Sequence, residues 1–569
     1  MRKGYRFQPL LLATFFICLL SASHLLAQQD TWVNHFGSGL ADSPEDILVD
    51  DAGNSYVSGY FRDTLWIGTT ELIASGKNDV FLAKFAPDGQ LAWINRYGWN
   101  SNEFAHGLAF DAMGNVIMVG EYQDSTIFEG DTLYSEDSLW YGAPAETYDV
   151  FWLRVTPSGT MDKFWGGGWF GGESFNEVQV GFDSLYYFAG LYRTFNNWTF
   201  ANPYDLEGLG SGYDDAIWVR SDSSGFMDHK AIAAGRYVDR ASAIALVGDS
   251  LVVMGGTFQD TCYFRHSSQY GITGFEDDVF IACYSDTGRF KWAVQGGSKA
   301  IDDLTALVTD AQGNIYFSGA YDSSFTIAGQ TLVGTGHLDG VVGKLSVDGN
   351  LLWLKHFGGM GFDVARDLRI TNSGDLLVTG YFQRQMDLGS GIQLEIADTF
   401  DQNAYVVKLD AAGNALWAKN LGGSGPDLGV AVDEDAAGYI YAVGTFAGTG
   451  QFGQVSATAL GGEDIYVLRM NADGAVFSTE AVSPISNVNV WPNPAKSEFQ
   501  VQFDLKTASE LTLLLSDLNG QVVMEQSLGR KAAGVGHLSV DASRLPAGLY
   551  IYQLRSVNGA FTGKIALMR

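Results

Sequence analysis

This sequence predicts an all-β fold, a seven-bladed β-propeller followed by a small β-sandwich. Three observations predict it: a long internal repeat, a composition suited to strands and tight turns, and a break in the repeat near the C-terminus. The chain of 569 residues is 46% hydrophobic and 13% aromatic, with 70 glycines and 11 prolines. That apolar content builds packed cores, and many glycines and aromatics favour strands joined by turns over helices.

Aligned on itself, the chain shows repeats starting near Trp32, Trp93, Trp165, Ala231, Trp292, Trp353 and Trp417. A fixed long period marks a solenoid or a propeller. Each unit reads as two hairpins. The first turns at Asp51-Ala52-Gly53-Asn54 and the second at Asp88-Gly89, with Ala112-Met113-Gly114-Asn115 and Asp348-Gly349 as later copies. Glycine belongs there because tight hairpin turns demand positive φ. Two hairpins make a four-stranded antiparallel sheet, and such sheets set radially make a propeller. A solenoid would need capping repeats at its ends. Here the chain enters on a lone Trp-bearing strand, Trp32 to Phe36, placed to complete the seventh unit.

The pattern Asp42, Asp50, Gly53, Asn54, Tyr56, Gly59 in the first unit resembles the seven-bladed propeller repeat of secreted bacterial proteins; units three and four lack its Gly-Asn turn. The resemblance implies an architecture and little chemistry. The propeller is expected over residues 28–480, with a linker at 481–487.

The N-terminus carries Arg2, Lys3 and Arg6, then an apolar run from Leu10 to Leu20, then small residues ending at Ala27. Residues 1–27 therefore read as a signal peptide cut between Ala27 and Gln28. The run is shorter than the roughly 20 residues a membrane span needs, and the mature chain has no other candidate span. Of the three cysteines, Cys262 and Cys283 fall in one repeat; an oxidising compartment permits a bridge, and two buried thiols are the alternative. The net charge is −31, and its acidity resides in the repeats. Such a field argues against nucleic acid and for cations or basic surfaces.

After Ser483 the register breaks. Residues 488–569 form a block of short strands that suits a small sandwich. Its Trp491, Pro492, Asn493, Pro494, then Asn519, Gly520, then Gly548 with Tyr550, and finally Gly563 and Lys564 resemble the type A sorting domain of the type IX secretion system of Bacteroidota. Gln521 departs from the usual Gly-Lys at the central turn. The resemblance implies the type IX machinery as a partner, passage through the periplasm, and a secreted or outer-membrane-surface destination.

Each repeat carries an acid twelve positions before the second strand of its first hairpin: Asp42, Glu103, Glu173, Asp239, Asp302, Asp363 and Asp427. A second set, Asp79, Asp149, Asp215, Asp278, Asp339, Asn403 and Asp464, begins the third strand. Calcium is the one cofactor that such carboxylates would suit. Sevenfold repetition instead favours a structural role, the acids accepting hydrogen bonds from loop N–H groups. No metalloprotease, redox, serine-hydrolase or phosphate-loop motif occurs, so the expectation is a binding protein whose alternative is a polysaccharide hydrolase or lyase. Ligand contacts are expected where the repeats depart from their period. The long second and third units place Tyr134, Trp140, Tyr141, Trp169, Phe170, Trp198 and Tyr204 in or beside connections, as a glycan, matrix or extracellular protein partner would require.

Overall fold

The structure, a computed structural model, describes residues 31–128, 131–134, 148–168, 172–193, 214–264, 271–396, 401–476, 485–505, 509–516, 522–556 and 559–568. Strands Ser43–Val49, Ser55–Phe61, Asp79–Phe85 and Leu91–Tyr97 pair in that order into an antiparallel sheet, sheet 1. The same order recurs in six further four-stranded units, called sheets 2 to 7, of which the third and fourth are joined edge to edge where Ala234 and Gly235 pair with Tyr263 and Cys262. Their first strands are Glu103–Phe110, Glu173–Val180, Asp239–Val247, Asp302–Thr309, Val364–Ile370 and Leu428–Glu434. Sheet 7 has three strands of its own, and its fourth is Trp32–Phe36 from the other end of the chain, paired with Val455–Met470 so that Trp32 lies opposite Arg469.

The first strands touch in succession from sheet 1 to sheet 7, and that of sheet 7 touches that of sheet 1. Stacking face to face buries both sides of the middle strands. Val80, Phe81, Leu82 and Ala83 are all fully buried, hence the unbroken apolar runs of the third strands.

The repeated tryptophan joins one sheet to the next. Trp93, in sheet 1, lies under Gly159 of sheet 2 and donates from Nε1 to the Pro157 carbonyl at 3.1 Å. Trp292 does the same to Val347 at 3.0 Å and Trp353 to Ala411 at 3.2 Å. Trp32 carries this contact from sheet 7 to sheet 1, donating to Pro87 at 3.0 Å. A Cβ on Gly89 would come within 2.8 Å of its ring, so the turn glycine supplies clearance as well as its φ of 82°.

Small hairpins between second and third strands, such as Thr64–Ile67 with Thr70–Ile73, are additions beyond the four-strand unit. They tie a sheet to the one before it. Gly37, after the entry strand, and Trp66 exchange backbone hydrogen bonds of 2.9 and 3.3 Å, and Ser324–Ile327 pairs with the last strand of sheet 4.

Cys262 and Cys283 are free and buried. In the ladder they share, Cys262 faces Ile272 while Cys283 faces Val253, nine residues further along the strand. At about 3.3 Å per residue that is roughly 30 Å, far beyond disulfide reach.

The C-terminal block forms two sheets. Ile485–Trp491, Glu498–Leu505 and Gly534–Asp541 make one; Val522–Lys531, Ser509–Ser516, Gly548–Ser556 and Gly559–Leu567 make the other. Phe499, Val501, Phe503, Leu513, Leu515, Leu554 and Ile565 share one buried core between them. Among the described residues no helix is long and apolar enough to cross a membrane.

Candidate functional site

The recurring acids lie at the start of each first strand and bind the loop that leads into it. Asp42 accepts from the Ser38 N–H at 2.6 Å, Asp302 from Ser298 at 2.7 Å, Asp363 from Gly359 at 2.7 Å and Asp427 from Gly423 at 2.6 Å. Glu103 reaches Trp99 at 3.3 Å. The acceptor thus serves the amide four residues before it, and Asp42 and Asp363 also take the Arg62 and Gln383 N–H at the end of the second strand. The third-strand acids repeat the device: Asp339 accepts from Thr335 at 2.7 Å and Asp464 from Leu460 at 2.9 Å.

The two sets meet at the junctions. A Cβ on Gly98 would lie 2.8 Å from both the Asp79 and Glu103 carboxyl groups. Burial is the main cause that lifts Glu103, Asp302 and Asp363 to about 8, with the neighbouring acid adding to it, and Asp42 to about 6. Glu173 and Asp239 are likewise buried in their junctions. Among the described residues no group of three or more His, Cys, Asp or Glu side chains is arranged to hold a metal ion.

Three residues beyond each acid the picture changes. Every first strand carries a β-bulge there, seen as a register shift against its second strand. A bulge re-aims a side chain out of the pleat. The bulged positions are Glu45, His106, Asn176, Ser242, Thr305, Arg366 and Val430, and all seven line a single cavity of about 230 Å³. No two of them are alike. Asp46, Glu177, Asp303 and Asp367 complete its polar lining.

Some of these side chains, together with Asp433 of sheet 7, also bind one first strand to the next. Asp46 accepts from Leu108 N–H at 2.7 Å, Asp367 from Val432 N–H at 2.9 Å, and Asp433 from Val49 N–H at 2.7 Å across the junction of sheets 7 and 1. Asn176 and Thr305 donate to the carbonyls of Ala241 and Ala365 at 2.8 and 2.7 Å.

The cavity is electrically uneven. Arg366 and His106 favour ionisation of Glu45, although burial still raises it. Arg369 attracts Asp46, whereas Glu177 gains only hydrogen bonds from Val178 N–H and the Gln179 side chain. Burial pushes Asp46 well up, then repulsion from Glu177 and Asp367 adds to it. Glu177 is lifted to about 8 by burial and by Asp367, while Asp367, to which Arg369 gives partial relief, stands at about 6.

A second cavity, of about 260 Å³, shares Asp303 with the first and brings in Ile301 and Arg240. Ile301 belongs to the loops between sheets, where Leu40, Trp99, Tyr237, Ile301, Met360 and Phe362 are 38–67% exposed. Each of these lies one to four residues before a first-strand acid, so they share the end of the sheets where the cavity residues lie.

Of the aromatics expected to bind ligand, Tyr134 is exposed on the hairpin strand Asp131–Tyr134 and does not line the cavity. Trp140, Tyr141, Trp169, Phe170, Trp198 and Tyr204 lie outside the described residues, as do Ala27 and Gln28 and, in the C-terminal block, Asn519 and Gly520. The cavity residues were not among the expected ones. Their signal was in the sequence: a position at fixed offset from a constant acid that is occupied differently in every repeat.

In the C-terminal block, Asn493 donates to the Lys564 carbonyl at 2.9 Å and accepts from Ala566 N–H at 3.0 Å, so one amide reads the backbone of the final strand around Gly563 and Lys564. Trp491 is exposed beside Pro492 and Pro494, and Tyr550, on the strand that Gly548 opens, donates to the Pro546 carbonyl at 2.9 Å.

Residues 489–568 match the family described as the secretion system C-terminal sorting domain. A curated relative is an uncharacterized WD repeat-containing protein of Acanthamoeba polyphaga mimivirus, 21% identical over 506 aligned positions that take in 73% of this chain and 36% of that protein. The chain thus spans about a third of that relative's length. Among solved structures, PorZ, a surface component of the type IX secretion system of Porphyromonas gingivalis, is 9% identical with a TM-score of 0.15, covering 94% of this chain and 100% of that one. A glycoside hydrolase family 43 arabinoxylan arabinofuranohydrolase from Bacillus subtilis is 9% identical with a TM-score of 0.26, covering 94% of each chain. At such scores neither structure bears on this chain's activity. The sorting tail does: it indicates a cargo of the type IX machinery, exported to the cell surface or released.

Proposed function

We propose that the seven sheets are the blades of a seven-bladed β-propeller that the type IX route delivers to the cell surface or the medium, where it binds an extracellular partner. The cycle of first-strand contacts and the pairing of Trp32–Phe36 into sheet 7 support the architecture. The observation that carries the binding role is the convergence of seven unlike side chains on one cavity at the centre of otherwise repeated sheets. A residue needed by every sheet recurs in every sheet; one needed by a ligand does not. For delivery, removing residues 489–569 is expected to leave the seven sheets folded and stop the protein in the periplasm. Undiminished surface or extracellular protein in fractionated cells overturns that part.

A second reading, a polysaccharide hydrolase or lyase, has one observation in its favour. Glu177, raised to about 8, would hold a proton at neutral pH beside carboxylates that ionise more readily, the pairing an acid–base mechanism uses. Release of reducing ends from a polysaccharide, lost in Glu177→Gln, would establish it.

A further inference from the structure

Resting on the binding role of this face, we propose that the cavity receives the cationic end of a lysine or arginine side chain from an extracellular protein, whose neighbouring apolar residues settle on the loops around it. Size is the first reason. About 230 Å³ is room for one long side chain, below the 300–1,000 Å³ typical of small-molecule pockets, although the space adjoins a cavity of about 420 Å³ that shares His106 and Asn176 with it.

Charge is the second. Five carboxyl groups, on Glu45, Asp46, Glu177, Asp303 and Asp367, line the cavity against one arginine and one histidine. Arg366 acts on Glu45 and Asp303, and His106 on Glu45. What remains is the side formed by Asp46, Glu177 and Asp367, which repel one another across three different sheets; Arg369 acts on Asp46 and Asp367 and leaves Glu177 without a cation. A positive group placed among them relieves that repulsion, so its binding is favoured beyond its own contacts.

The surroundings are the third. Trp99, Ile301, Met360 and Phe362 are exposed on the loops at this end. Ile301 lines the cavity that adjoins this one, and a charged centre with apolar residues near it that exclude water is the anatomy of a protein interface hot spot. Over longer range, the net charge of −31 draws basic partners and repels anionic membranes.

The test uses the full mature chain and fluorescent heptapeptides with one central lysine or arginine between aromatic residues, read by anisotropy, with norleucine at the centre as control. The lysine and arginine peptides are expected to bind at least tenfold more tightly than the norleucine peptide. Glu177→Gln should remove most of that difference with unchanged melting temperature, Glu45→Gln, whose charge Arg366 and His106 already answer, should leave most of it in place, and Trp99→Ala should weaken all the peptides several-fold. Equal binding of the norleucine peptide overturns the cation site. Binding on a glycan array that Trp99→Ala abolishes, with no peptide binding, overturns it too but leaves the binding role of the face standing. Silence on both, with a folded protein, removes both.

Discussion

Two rings of side chains lie three residues apart along the same seven strands, and they obey opposite rules. The first, from Asp42 to Asp427, is acidic in every repeat, and Asp42, Glu103, Asp302, Asp363 and Asp427 each accept from a backbone N–H of the adjoining loop. The second, from Glu45 to Val430, sits on β-bulges and never repeats a residue. Identical geometry with constant chemistry marks what each sheet needs to join its neighbour. Identical geometry with changing chemistry marks a surface on which the sheets cooperate.

The comparison breaks most visibly if a constant position proves dispensable. Trp32 is the strongest case, since it is buried and links the first strand of the chain, in sheet 7, to a turn of sheet 1. Trp32→Ala is expected to cost about 3–5 kcal/mol in urea unfolding, as large-to-small aromatic substitutions do. A loss below about 1 kcal/mol would mean that the junction of sheets 7 and 1 contributes little.

The constant acids give an intermediate effect with a definite sign. Asp302 and Asp363 stand at about 8 in the folded protein, against about 3.9 for an unfolded aspartate. The folded chain therefore holds more protons between those values, and stability falls as pH rises through that window. The contribution is complete below about pH 4 and is lost as pH passes 8. Other groups determine what happens in stronger acid. Melting curves are expected to show a higher transition at pH 5.5 than at pH 8.5. Asp302→Asn, which fixes the neutral form, should change little at pH 5.5 and raise the melting temperature at pH 9; a lower one there would place the acid among groups that need their charge.

What the sequence disclosed follows the same division. Tryptophans, turn glycines and acids were legible because each junction demands them again, and repetition makes a weak local signal strong. The sorting block was legible because Asn493, set between two prolines, answers to one fixed partner, the backbone near Lys564. The cavity stayed hidden because Glu45, His106, Asn176, Ser242, Thr305, Arg366 and Val430 share nothing but an offset. Extra length in the second and third repeats is the asymmetry the sequence displays openly, whereas the bulges place it at a constant position in all seven. The cysteines could not be resolved either, since one repeat contains strands long enough to hold Cys262 and Cys283 roughly 30 Å apart.

The smallest expected effect is the sharpest test of the second ring. Ser242 lines the cavity on the bulge of sheet 4, while its neighbours Ala241 and Ala243 are buried in the sheet packing. Its side chain is aimed away from that packing, so Ser242→Ala should shift unfolding by no more than about 0.5 kcal/mol, the range of substitutions outside the core. Ala243→Ser, one residue along, puts a hydroxyl into an apolar core and should cost about 1–3 kcal/mol. If the two substitutions cost the same, the bulge does not separate cavity from core, and the variable ring loses its standing as a surface free to change with its ligand.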